Sequence, residues 1–326
     1  MMIRKATHSL FSSPKTIWAV ALVSLFATSC APPKGTFANN PDGGTGSTSY
    51  SGYVIVANNA NRSVVMYDPN FTESTARVLK LYPTGNTPMS LAVYDSDSVL
   101  VAVDGTPDRV DRITLSTGVT TTGFILDSTN LTGTMKRIAR LSGGDVIVSD
   151  ATTGAHMERF AVSASSFLRY TTGWPATLLN TTFALFPLSN NTFLACAGGT
   201  SDVARTFTNV GGTIVSATAL LPVPTLGAAH DAVGCVANAS GQIAVAWNGA
   251  TDTVRLYNST LSTTVWSYSD LALLSAPLTL GVRPNGNLLA IDTSNLVVEI
   301  NGSTGAFVTS FAPGLVATAN QILVMP

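Results

Sequence analysis

From Gly52 onward the chain is written in short apolar runs, each closing on a small residue and followed by a polar turn. The runs are Tyr53–Ala57, Val99–Ala102, Val146–Ser149, Thr192–Ala195, Gln242–Ala246 and Asn287–Ala290. They are rich in Val, Ile and Leu, and the β-branched members suit a pleated, buried surface. Partner runs follow the turns at Val64–Tyr67, Val110–Ile113, Met157–Phe160, Val254–Tyr257 and Leu296–Ile300. The closing small residues lie at 57, 102, 149, 195, 246 and 290, separated by 45, 47, 46, 51 and 44 positions. No long stretch keeps a 3.6-residue period with charged outer positions, so helix is nearly absent.

A several-stranded unit repeated every 40–50 residues or so predicts an all-β chain folded as a six-bladed β-propeller. A β-sandwich also has short strands and frequent turns. It does not repeat one strand-turn-strand grammar six times at near-constant spacing. From the second unit onward an extra apolar run precedes the main one, as in Ser90–Tyr94 and Ala232–Val236. The first unit lacks such a run, while Gln321–Met325 stands unpaired at the end of the chain. That C-terminal strand is expected to complete the first blade and close the ring, which removes the exposed edges of an open array.

Two units also carry a family likeness. Tyr53 to Asp68, YVIVANNANRSVVMYD, resembles a YVTN-type repeat, and Pro88 to Tyr94 through Val110 to Ile113 resembles an NHL repeat. Both resemblances imply propellers. YVTN-type proteins often have seven blades, whereas the spacing here leaves room for six.

The first thirty residues read as an address. Arg4 and Lys5 precede an apolar stretch from Ile17 to Ala27, followed by Thr28, Ser29 and Cys30. A charged start, a short apolar segment and small residues before a cleavage point define a secretory signal. A largely apolar stretch of eleven residues is too short for a span, which needs about 20. Ala27-Thr28-Ser29-Cys30 resembles the lipobox of bacterial lipoproteins, with Ala27 where the family more often has Leu. The resemblance implies lipidation of Cys30, and Ala31 implies the outer membrane. An ordinary secreted or periplasmic protein is the alternative. The expected organisation is a signal peptide over 1–29, a lipidated Cys and flexible linker over 30–49, and the propeller over 50–326. The linker is rich in Gly, Ser, Thr and Pro, which cannot bury enough surface to order.

Composition narrows the partners. Charged residues make up 11% of the chain against 45% hydrophobic, so the polar surface comes from Ser, Thr and Asn. A formal net charge of −1 offers no basic footprint for nucleic acid. Loss of residues 1–29 removes three of 17 basic residues and no acids, leaving 14 against 18, or −4. Acyl chains rather than electrostatics would therefore hold the protein to a membrane.

Candidate chemistry gathers where the second strand of each unit turns into the third. These turns begin at Asn58, Asp104, Asp150, Gly198, Asn248 and Asp292. A ring of oxygen ligands could take calcium, and resemblance to six-bladed lactonases would give that ion a catalytic role. The preferred reading is that Asn and Asp start tight turns by bonding their own backbone, leaving no cofactor. A lactonase-type site would also want an early Glu, and Glu73 is placed away from the channel. His230 and Asp231 open the inner strand of the fifth unit and form a possible acid/base or metal pair. His156, like His230, reads first as a packed or surface residue, and no Gly-x-Ser-x-Gly elbow accompanies either. Arg62, Arg109 and Arg205 follow comparable turns and could meet an anion, although a solvated role is preferred. Trp174, Trp247 and Trp266 are candidate sugar platforms but read first as core. Cys196 and Cys235 fall on adjacent blades. A disulfide is allowed in an oxidising envelope, and buried free thiols are the plainer expectation. The favoured function is a non-enzymatic envelope lipoprotein whose propeller binds a protein or surface ligand. The alternative is a metal-dependent hydrolase or lactonase using Asp104, Asp150 and Asp292.

Overall fold

The apolar runs become strands because each is buried on both of its faces between neighbouring sheets. A computed structural model describes residues 49–126, 131, 134–150, 156–163, 166–170, 182–189, 192–197, 203–210, 213–216 and 230–326. The signal sequence, Cys30 and almost all of the linker lie outside the described residues, as do Trp174 and Gly198.

The described residues form six four-stranded antiparallel sheets. Blade I contains β1 (Val54–Asn58), β2 (Ser63–Tyr67) and β3 (Arg77–Leu81). Blade II contains β4 (Thr87–Asp95), β5 (Ser98–Asp104), β6 (Arg109–Thr114) and β7 (Thr120–Ile125). Blade III runs β8 (Met135–Arg140), β9 (Val146–Asp150), β10 (His156–Ser163) and β11 (Ser166–Tyr170). Blade IV runs β12 (Thr182–Pro187), β13 (Thr192–Ala197), β14 (Val203–Val210) and β15 (Thr213–Ser216). Blade V holds β16 (His230–Ala237), β17 (Ile243–Gly249), β18 (Thr253–Tyr257) and β19 (Thr264–Tyr268). Blade VI holds β20 (Pro277–Val282), β21 (Leu288–Asp292), β22 (Val297–Ile300) and β23 (Phe307–Phe311). The last strand, β24 (Ala319–Val324), pairs with β1, so the C-terminus supplies the inner strand of blade I as expected.

The runs picked out in the sequence are the second strands of the blades. Val54, Ile55, Val56 and Ala57 are fully buried, as are Val99 to Val103 and Leu288 to Ile291. Each Val or Leu so covered contributes about 1.5–3 kcal/mol. The outermost strands β3, β7, β19 and β23 are partly open to water, with Val265 and Phe307 close to half exposed.

Inner strands touch in sequence around the ring, β24 to β4, β8, β12, β16, β20 and back to β24. Each carries one extra residue near its start: Asn320, Met89, Lys136, Phe183, Val233 and Leu278. These bulges kink the inner strands at one level of the ring. Two of the bulged residues lie against the following blade. Asn320 donates to the Pro88 carbonyl at 2.9 Å, and Leu278 packs with Ile322 and Val324 of blade I.

Close approach of the inner strands depends on small residues. A Cβ on Gly234 would stand 2.9 Å from the Leu280 nitrogen and 3.0 Å from the Thr279 Cα. Only glycine fits there, since both neighbours are backbone. A second glycine, Gly305, has φ +72° and lies flat against the Trp266 ring, whose indole N–H donates to the Gly302 carbonyl at 3.0 Å.

The seam between blades VI and I is held beyond its strand pairing. Arg283 pairs with Glu299 at 3.2 Å and donates to the Pro69 carbonyl at 2.7 Å. Phe71 stacks on Phe311 with ring centres 4.7 Å apart, and Glu73 accepts the Gly314 amide at 2.5 Å.

Cys196 and Cys235 depart from the expectation of free thiols: they form a disulfide. Cys196 is on the second strand of blade IV and Cys235 on the inner strand of blade V, with Cα atoms 6.0 Å apart, inside the range a disulfide spans. Their apolar surroundings describe the blade interface in which the bond is buried.

Candidate functional site

The turns between second and third strands use their polar residues to hold loops. Asn58 is fully buried. Its Nδ2 donates to Ser63 Oγ at 3.1 Å and to the Leu315 carbonyl at 3.4 Å, while Oδ1 accepts the Ala317 amide at 3.2 Å. It thereby ties β1 to the segment crossing from blade VI. Asp292 accepts the Ser294 amide at 2.9 Å, the Ser294 hydroxyl at 2.6 Å and the Leu296 amide at 3.0 Å. Its other oxygen takes the Ser275 amide at 3.3 Å, on the crossing from blade V. Asp292 shapes an Asx-type turn, whereas Asn58 bonds across its hairpin to Ser63, and both hold the incoming crossover.

The remaining turn residues differ. Asp104 is half-buried, and burial raises its carboxyl above the ordinary range, an effect opposed by the Lys136 charge and a hydrogen bond with Asp108. Asp108 in turn accepts the Gly105 amide at 2.7 Å. Asp150 ends β9, where it is the register partner of Met135 and His156. Asn248 is half-buried and sits opposite Asp231, and His230 sits opposite Gly249. The buried His230 accepts the Thr251 amide on Nε2 at 3.1 Å, which places a lone pair there. The fold thus brings His230, Asp231 and Asn248 to one corner of blade V, with Asp104 and Lys136 near each other across blades II and III.

Asp252 was missed in the sequence. It accepts the Gly249 amide at 3.2 Å and the Ala276 amide at 2.7 Å, clamping the crossing from blade V to blade VI. Its position one turn beyond the marked Asn248 was the available signal. Also missed was a relay along the inner strands. Gln321 Oε1 accepts the Leu91 amide at 2.6 Å and the Ser90 hydroxyl, and Ser90 Oγ accepts the Ile138 amide at 3.0 Å. Three blades are stitched by that one line.

Arg109 donates to Asp111 at 3.0 Å and to Asn86 at 2.6 Å, so it serves blade II. Arg62 sits at the turn itself with φ +52°, and Arg205 lies opposite Ala195 on β14. Trp247 is buried and Trp266 half-buried, both against neighbouring blades. Among the described residues no three His, Cys, Asp or Glu side chains gather as a metal site. None of their helices is long and apolar enough to cross a membrane.

Inner strands of blades I, IV, V and VI line a cavity of about 40 Å³, with Ala184, Cys235, Thr279, Gly281, Gln321 and Val324 among its walls. A water needs roughly 10–15 Å³ on this measure, so the cavity takes a few waters. Small-molecule pockets are typically about 300–1,000 Å³.

No protein-family model matches the chain, and no curated protein matches its sequence. Solved structures share its fold. A chain of a nidogen/laminin complex is 14% identical with TM-score 0.64, covering 84% of this chain and 98% of that one. A gluconolactonase from Xanthomonas campestris is 12% identical with TM-score 0.55, covering 71% and 76%. A protein of unknown function from Bacteroides caccae is 14% identical with TM-score 0.52, covering 83% and 97%. At such identities the likeness is one of fold.

Proposed function

We propose that the chain is an exported envelope lipoprotein, acylated at Cys30 and held at the outer membrane, whose propeller is a non-enzymatic binding or scaffolding module. The braced loop face carries this reading, its turns held to the incoming crossovers by side-chain hydrogen bonds. Among the described residues, the cavity lined by the inner strands of blades I, IV, V and VI holds only a few waters, which favours a partner that meets the ring on its loop face. That face is built from turns braced by Asn58, Asp252 and Asp292, and bracing lowers the entropy lost on binding. The Cys196–Cys235 disulfide supports export, since such bonds persist in oxidising compartments. One fold neighbour, from the nidogen/laminin complex, works within an assembly of proteins, which lends the binding role an analogy of fold.

Growth with an alkyne fatty acid tests the anchor. Label on the wild-type chain, absent from Cys30→Ser, is the expected result, and incorporation that ignores Cys30 would overturn it. A photo-crosslinking residue placed at Asn248 tests the face against one placed at Val78 on an outer edge. Adducts confined to the Asn248 protein are expected, and equal adducts from both positions would refute a loop-face partner.

A further inference from the structure

His230, the first residue of β16, is 5% exposed and sits opposite Gly249, the last residue of β17. Its Nε2 accepts the backbone amide of Thr251 at 3.1 Å, so the ring reaches over the turn that joins β17 to β18. An amide N–H only donates, and this bond therefore requires a lone pair on Nε2 and the ring proton on Nδ1. The same turn ends in Asp252, which accepts the Gly249 amide through Oδ1 at 3.2 Å and the Ala276 amide through Oδ2 at 2.7 Å. The Ala276 carbonyl in turn accepts the Thr293 amide at 3.2 Å, on the turn that follows β21. One imidazole nitrogen thus stands at the head of a hydrogen-bonded line through turns of blades V and VI.

An imidazolium has no lone pair, since both of its nitrogens donate. Protonation would set two N–H groups head to head between His230 and Thr251, and the bond does not survive that. Imidazole is the side chain whose charge ordinarily changes between pH 5 and 8. β16 packs on β12, β13, β14, β17 and β20. Of these only β14 carries a charged residue, Arg205, while Cys196 on β13 and Cys235 on β16 are joined in the disulfide. The acids around the corner are Asp231, next to His230 on β16, and Asp252 on the turn, with Asp270 and Asp292 flanking the crossing that Asp252 holds. Asp252, already bonded to the residue opposite His230, is placed to attract a charged ring, which would draw it from Ala276.

We propose that the turn from Gly249 to Asp252 is a pH-sensitive latch. Neutral His230 holds it closed, and uptake of one proton on Nε2 releases Thr251 and, through Asp252, the crossing at Ala276. The latch belongs to the turn itself and holds whether or not a partner meets the loop face.

Titration of the full ¹⁵N-labelled chain by NMR from about pH 8 to about pH 5 tests the latch, stopping short of the range in which carboxylates ordinarily take up protons. The ring nitrogens of His230, assigned with His230→Gln, should show a proton on Nδ1 alone at the upper end and on both nitrogens at the lower. The amide signals of Thr251 and Ala276 should move with the same midpoint as the ring, and protection of the Thr251 amide from exchange should fall by about tenfold, the worth of one hydrogen bond. His230→Gln keeps an acceptor that does not titrate, so both amides should stay still across the range. A ring that remains neutral to the lower end, a Thr251 amide that ignores the ring's midpoint, or movement that persists in His230→Gln would overturn the latch. Movement of Thr251 without Ala276 would overturn the link through Asp252. Should His230→Gln fail to fold, agreement of the midpoints in the wild-type chain decides, with the ring assigned by elimination from His8→Gln and His156→Gln.

Discussion

Gln321, on the last strand of the chain, accepts the backbone amide of Leu91 at 2.6 Å, 230 residues away in sequence. The same oxygen takes the Ser90 hydroxyl, whose own oxygen receives the Ile138 amide. Closure of the ring is thus a matter of inner-strand side chains as well as β24 pairing with β1. Deleting residues 319–326 should abolish the cooperative unfolding transition, because β1 loses its partner and the seam of blades VI and I opens. Gln321→Ala should lower stability by about 1–3 kcal/mol by leaving a buried amide and hydroxyl unpaired. Urea denaturation followed by circular dichroism measures both, and a truncated chain with an unchanged midpoint would contradict the ring.

Gly234 sets how tightly blades V and VI approach. Gly234→Ala forces a methyl onto the backbone of Thr279 and Leu280, and the expected loss is about 1–3 kcal/mol. Gly281→Ala meets a side-chain methyl of Val324 at 3.1 Å, which can turn aside, so its effect should be smaller. Thermal melts of the two variants side by side check the order.

The second strands were legible in the sequence because burial on both faces leaves an uninterrupted apolar run, as at Val54 to Ala57. Gln321 to Met325 could be read as the closing strand for the same reason. Its true start at Ala319 could not, since the bulge at Asn320 breaks the alternation that marks a strand end. The Cys196–Cys235 bond was hidden for a different reason. It depends on how one blade's inner strand lies against the previous blade's second strand, which no local pattern records. The turn residues Asn58 and Asp292 were found by residue type, but their reach to Ala317 and Ser275 is a property of the crossovers.

The disulfide should add measurably to stability. It closes a separation of 39 residues, and loop-closure reasoning gives about 2–4 kcal/mol for its loss. Reduction, or Cys196→Ala with Cys235→Ala, should lower the melting temperature, with the loss concentrated between blades IV and V. Hydrogen exchange on β13 and β16 is the check, and exchange unchanged on reduction would rule this out.

Asp292 is expected to act without metal. Its carboxylate already receives three backbone amides and a hydroxyl. Asp292→Ala should therefore cost about 1–3 kcal/mol, by the same amount in calcium and in chelator. Melts in both buffers test this, and a calcium-dependent difference would restore a cation role for the turn.

Two carboxyl groups should respond to acid in opposite ways. Asp68 is pulled two ways, burial raising its carboxyl and hydrogen bonds from Thr72, Thr75 and Asn70 lowering it, and the net result lies below the ordinary 3.8. A depressed native value means the unfolded chain binds more protons, so Asp68 stabilises above 3.8 and loses that contribution as pH falls through the native value. Asp104 is the reverse case. Burial raises it above 3.8, against the opposing pull of Lys136 and Asp108. The native state then binds more protons, and stability declines as pH rises from 3.8 through the native value, leaving a constant penalty at neutral pH. Asp68→Asn should destabilise at pH 7 by an amount that shrinks in acid, whereas Asp104→Asn should stabilise at pH 7 with the gain vanishing below 3.8. Chemical denaturation of both variants from neutral to acidic pH measures the two slopes, and slopes of one sign would show that Asp104 is not held by burial.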